Sequence, residues 1–227
     1  MKTLAKTGPG TVEVTDSLVT ATTLPSYWEA ACAHLVQKDR VMKRLIPQFG
    51  QACLQSRGDA FVTLARSIVG QQISVKAAQS VWDKFSRLPR QMTPPNVLKL
   101  KVDDMRAAGL SARKVEYLVD LALHFDSGVV HVKGWESMAD EEIIAELVAI
   151  RGIGRWTAEM FLIFHLMRPN VLPLDDVGLI NGISKNYFSG ESVSRSDARE
   201  VARGWAPYCT VATWYIWRSL DPLPVEY

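Results

Sequence analysis

From Pro25 onward, apolar side chains recur three and four positions apart, the spacing of one face of an α-helix. Trp28, Ala31, Cys32 and Leu35 form one such face, and Val41, Met42 and Leu45 a second before Pro47. Asp59 is placed to cap a helix with Phe61, Leu64, Ala65 and Ile68 inward, closed by Gly70. Ser74 can cap the next, which carries Ala78, Val81, Trp82 and Phe85. Pro94-Pro95 marks a loop, followed by a short helix over 102–108 closed by Gly109. Ser111 caps a helix bearing Val115, Leu118, Val119 and Ala122; Asp140 is expected to cap another with Ile143, Ile144, Leu147 and Ile150. A helix starts at Arg155, and helical spacing resumes at Leu179 and Ile183. The last helix is expected to start near Pro207, a favoured first-turn residue, with Tyr208, Val211, Trp214, Tyr215 and Trp217 on it. Residues 1–24 are rich in Thr and Gly and read as a tail with room for one weak strand; Gly128-Val129-Val130 has room for a brief extended piece. The fold class is all-α, with the N- and C-terminal helices pairing into one lobe across the central ones.

Chemistry concentrates in the connections. In Arg151-Gly152-Ile153-Gly154, two glycines one residue apart allow a backbone turn whose amides point outward, and Arg155 and Trp156 open a helix at once. Amides at a helix start carry partial positive charge, so the turn is a seat for an anion such as phosphate. Some twenty residues on, Val171-Leu172-Pro173-Leu174 leads into Asp175-Asp176 at the start of another helix. From the residues alone, either carboxylate can cap the helix and either can do acid-assisted chemistry. Gln71-Gln72-Ile73-Ser74 reads as a polar helix–helix turn, and the tryptophans of Trp205 to Trp217 read as core aromatics.

Composition narrows the classes. A chain of 227 residues, 48% hydrophobic, can bury a sizeable core. A formal charge of +2 excludes a bulk polycation, so any nucleic-acid contact comes from a local patch. Cys32, Cys53 and Cys209 are odd in number and lack CxxC spacing, which argues against a disulfide framework or a cysteine zinc site. His124 and His131 have no ligand set around them, and no metal is expected. Arg113 and Lys114 can reach phosphates or simply be solvated, and His34 reads as a surface or satisfied histidine. No apolar leader or bilayer-length run occurs, and the expected location is intracellular, with no membrane partner.

With these residues in place, the run IRGIGRWTAEM followed by LDDVGL, together with GQQIS and GLSARKVEYL, resembles the helix-hairpin-helix DNA glycosylases, and within them the 3-methyladenine DNA glycosylase II (alkyladenine glycosylase) family. The resemblance spans roughly 25–220 and implies a two-lobed all-α glycosylase domain over 25–227, without the N-terminal β domain of some relatives and without the four-cysteine iron-sulfur cluster of others. The implied partner is double-stranded DNA carrying alkylated bases, with a monomer as the acting unit. Gly152, Ile153, Gly154 and Arg155 would form the phosphate-binding hairpin. Gln72 would be the wedge filling the gap left by a flipped nucleotide, beside Gln71 and Ile73, with Ser74 towards the minor groove. Trp156 and Trp217 would stack on the damaged base; Met160 stands where a bacterial relative has tyrosine.

Asp176 would be the catalytic carboxylate, and Asp175, at the edge of the base pocket, would cap or orient the helix. Relatives that also cut the strand carry a lysine nucleophile where this chain has Trp156, so the resemblance implies hydrolysis to an abasic site without a lyase step. No cofactor is implied beyond a monovalent cation that such hairpins can hold through backbone carbonyls. The alternatives are a non-catalytic hairpin DNA-binding module, a glycosylase for oxidised or deaminated bases, and a helical protein-binding scaffold.

Overall fold

The computed structural model describes residues 25–49, 54 and 58–220; the tail and Cys53 lie outside them. Among the described residues there are twelve α-helices, two 3₁₀ turns and no strand. In chain order they are α1 Trp28–Lys38, α2 Arg40–Leu45, α3 Ala60–Gly70, α4 Val75–Phe85, α5 Pro94–Val97, α6 Val102–Ala107, α7 Ala112–Asp126, α8 Asp140–Val148, α9 Arg155–Phe164, α10 Val177–Tyr187, α11 Arg195–Ala202 and α12 Cys209–Leu220. The all-α expectation holds, and Gly128-Val129-Val130 is a turn rather than an extended piece.

Three of the expected caps form. Asp59, Ser74 and Ser111 each accept a backbone N–H three residues on, from Val62, Ala77 and Lys114. Two boundaries differ. Asp140 is the first residue of α8 rather than its cap: the Glu142 carboxylate reaches back to the Ala139 N–H at 2.8 Å, so the helix starts one residue earlier. Asp140 instead faces Arg168 at 3.3 Å. Pro207 precedes α12, whose first residue is Cys209, because Thr210 N–H is tied to the Pro169 carbonyl and Val211 N–H to that of Tyr208.

As expected, the first and last helices pack together. Trp28 of α1 meets Trp214 of α12 edge-on at 5.4 Å, and the Tyr27 hydroxyl donates to the Met167 carbonyl at 2.8 Å. Asp39 pins this group from inside, capping α2 while accepting from Tyr187 of α10 at 2.8 Å and from the Trp205 indole at 3.1 Å. The central helices form a second packing group, in which α7 lies against α3, α5 and α6, and α8 against α9. Both groups share one continuous core. Trp205, Trp214 and Tyr215 are buried, as their helical spacing suggests.

Candidate active site

The hairpin joins α8 to α9. Gly152 adopts φ +87°, and a Cβ there would lie 2.2 Å from the Tyr117 ring of α7, so only glycine fits both the backbone and the space. Asp120, one turn further along α7, accepts the Arg151 N–H at 2.7 Å. Ile153 is buried and anchors the turn to the core. Gly154 is the N-cap of α9, and no side chain caps it. The first amides of α9 are therefore left for a ligand, and the helix dipole favours an anion there.

Arg155 departs from the expectation. Its guanidinium grips Glu141 of α8 through two bonds of 2.9 and 2.5 Å, and Glu159 one turn on at 3.0 Å. Two carboxylates already hold it, so it fastens α8 to α9. Glu159 is buried, and burial pushes its carboxyl above the usual range. The Ile150 and Gly152 carbonyls each accept one hydrogen bond, from Ile153 N–H and from Gln71, which leaves each a lone pair for a cation.

The loop leading to the aspartates is tied down at several points. The Arg168 guanidinium donates to the Trp135 and Met138 carbonyls, while Thr210 of α12 donates to the Arg168 carbonyl and accepts the Val171 N–H at 3.0 Å. The chain then delivers Asp176 to the start of α10. Gly182 lies so close to α12 that a Cβ would meet Ile216 at 2.3 Å, and a Cβ at Gly178 would be 3.1 Å from Asp176 and 3.3 Å from Trp217. These glycines, four apart on one face, let α10 approach α12 until Trp217 reaches the aspartate. Sequence reading missed them, although Gly-x-x-x-Gly spacing within an apolar helix signals such an approach.

Asp176 is 5% exposed. Its Oδ1 accepts the Leu179 N–H at 2.6 Å and the Trp217 indole N–H at 2.8 Å, and its Oδ2 accepts the Trp156 indole N–H at 2.9 Å. The assignment of the cap to Asp175 is therefore corrected. Asp176 caps α10, whereas Asp175 turns outward to pair with Arg195 at 2.7 Å, beside a shallow depression lined by Leu174, Val177, Ile180 and Val193.

Of the two tryptophans expected to stack on the base, only Trp156, 37% exposed, presents surface; Trp217 is 4% exposed and stacks on Phe164 with its ring nearly parallel at 5.8 Å. Trp217 thus orients Asp176, and Met160, on the inward face of α9 itself, is buried.

The Gln71–Ser74 turn lies beside the hairpin. Gln71 donates to the Gly152 carbonyl at 2.9 Å, across 81 residues of sequence. Gln72 is exposed with φ +59°, Ile73 is 41% exposed, and Ser74 caps α4. The structure thus brings the turn to the hairpin, and the hairpin's first helical residues to Asp176. His131 pairs with Glu146 at 2.5 Å and His124 with Asp120 at 3.4 Å; among the described residues no cluster of ligand-type side chains could hold a metal. His34 meets the Gly204 carbonyl at 3.3 Å. Nor is any described helix long and apolar enough to cross a membrane.

A hairpin with an uncapped helix start, followed by a buried aspartate held by two indoles, places the molecule among helix-hairpin-helix proteins with a built active site. Residues 65–207 match the HhH-GPD superfamily base excision DNA repair protein family, and the chain belongs to it. It is 32% identical to DNA-3-methyladenine glycosylase 1 of Schizosaccharomyces pombe over 82% of this chain and 85% of that protein. It is similar to the crystal structure of a DNA-3-methyladenine glycosidase from Bacillus halodurans, with a TM-score of 0.80, 34% identity and coverage of 84% and 89% of the two chains. A Schizosaccharomyces pombe 3-methyladenine DNA glycosylase in complex with abasic DNA gives a TM-score of 0.71 and 30% identity, covering 87% of this chain and all of that one.

Proposed function

We propose that this protein is a monofunctional DNA glycosylase of base excision repair, an intracellular monomer that removes 3-methyladenine-type alkylated purines from duplex DNA and leaves an abasic site. The observation that carries this reading is the Asp176 carboxylate, buried and fixed by three N–H donors, with the exposed part of Trp156 at its edge.

Reaching the glycosidic bond requires rotating the nucleotide out of the stack, at about a few kcal/mol and less for a badly paired base. The amides at Gly154 and the start of α9 hold a phosphate, while Gln72, from its exposed left-handed position, fills the gap. Alkylation at a ring nitrogen makes the base cationic, and the Trp156 ring attracts such a cation by roughly 0.5–2 kcal/mol. As the C1′–N bond breaks, its electron pair leaves with the base, which departs neutral, so no strong general acid is needed. The sugar gains oxocarbenium character, and Asp176 opposes that charge from a site where burial strengthens its field. Water adds at C1′ and loses a proton to solvent. Trp156, where strand-cutting relatives have a lysine, offers no amine for a Schiff base.

The test is incubation with duplex DNA methylated by a simple alkylating agent. Release of free 3-methyladenine, with strand breaks appearing only after heating in alkali, is expected. Salt-dependent DNA binding without base release would make the chain a binding module; cleavage without heating would restore a lyase step.

A further inference from the structure

Helix α7 backs both the Gln71–Ser74 turn and the hairpin. Near its start, Lys114 donates to the Val69 carbonyl, just before the turn, at 2.7 Å. One turn later, Tyr117 fills the space beside Gly152, and a further turn on, Asp120 holds the Arg151 N–H at 2.7 Å. Three residues spaced by three along one helix thus fix the base of the turn and the crest of the hairpin to the same scaffold. The direct link between them is Gln71, whose amide donates to the Gly152 carbonyl at 2.9 Å. Its neighbour Gln72 sits at φ +59°, a conformation that costs a non-glycine residue energy and persists only where its surroundings impose it.

We propose that Gln71 is a positioning residue: it locks the turn onto the Gly152 carbonyl, so that Gln72 stands at a fixed distance from the phosphate held by the hairpin amides. Gap filling and backbone grip then act in one register rather than as independent contacts. One N–H of the Gln71 amide is committed to the protein, and through that bond its effect on DNA passes to Gln72. This rests on the glycosylase reading for its effect on rate, but the register itself can be read from DNA conformation alone.

The experiment is a double-mutant cycle on the full chain with Gln71→Met, which keeps length and bulk but removes the donor, and Gln72→Ala. The readouts are the single-turnover rate of 3-methyladenine release and the fluorescence of 2-aminopurine placed beside the lesion, which rises when the stack opens. Gln71→Met alone should lower both by about 3- to 10-fold, the range of one lost hydrogen bond. In the Gln72→Ala background it should lower them by less than about 2-fold, because the residue it positions is gone. Equal losses in both backgrounds, a lower melting temperature with unchanged fluorescence, or no loss would overturn the proposal. If the parent releases no base from any duplex, the glycosylase reading fails, and the fluorescence arm of the cycle still decides the register.

Discussion

Two helix–turn–helix connections face each other in this molecule and solve opposite problems. The α3–α4 turn ends in a side-chain cap, Ser74, and puts Gln72 in a left-handed conformation that glycine would adopt more readily. The α8–α9 turn has no side-chain cap and puts glycine at its left-handed position. The first therefore presents side chains and the second presents bare amides. That difference suits the roles proposed for them, since a wedge must have bulk and a phosphate seat must lack it. Tolerance to substitution should follow, since glycine is required in one turn and tolerated in the other.

The largest effect is expected at Gly152. Gly152→Ala combines a positive φ with a Cβ 2.2 Å from the Tyr117 ring and should cost about 2–4 kcal/mol of stability, measured by denaturant unfolding. Gly154→Ala is its control, because a Cβ there meets nothing within 4 Å. Equal costs at the two positions would show that space beside α7 does not set the hairpin. Ser74→Ala removes a cap whose bond to Ala77 N–H is 3.3 Å and should cost about 0.5–1 kcal/mol in the same unfolding measurement. The smallest effect has the opposite sign. Gln72→Gly should leave stability unchanged or raise it by up to about 1 kcal/mol while lowering base release, which calorimetry beside a release assay would show. A clear loss of stability would mean that Gln72 is packed rather than held ready for DNA.

Much of this was legible in the sequence because it is local. Helical spacing located the core faces, and Asp59, Ser74 and Ser111 cap as their positions suggest. The hairpin was readable because two glycines one residue apart leave few backbone alternatives. What escaped depends on partners far along the chain. The residues alone could not separate Asp175 from Asp176, and the resemblance gave the cap to Asp175; the arrangement is made by Trp156 and Trp217, 20 and 41 residues from Asp176, and by Arg195 facing Asp175. Arg155 reads as a free cation until α8 brings Glu141 to it. Trp217 reads as a stacking platform, and neither its burial nor its ring contact with Phe164 is visible in the spacing. Gln71 and Lys114 have no local sign of their targets, because a backbone carbonyl as acceptor leaves no trace in residue identity.

In the proposed mechanism Asp176 supplies the catalytic charge, and the Trp156 and Trp217 indole donors hold it in place. Asp176→Asn is a suitable probe, because its carbonyl oxygen can keep the bonds from Leu179 and Trp217 and cap the helix, while its NH2 faces the Trp156 indole N–H and the charge is lost. The measurement is single-turnover release of 3-methyladenine from methylated duplex, with binding to an abasic-site duplex recorded alongside. Release should fall by about 100-fold or more, with binding retained within about 3-fold. Release at the parent rate by Asp176→Asn would contradict it.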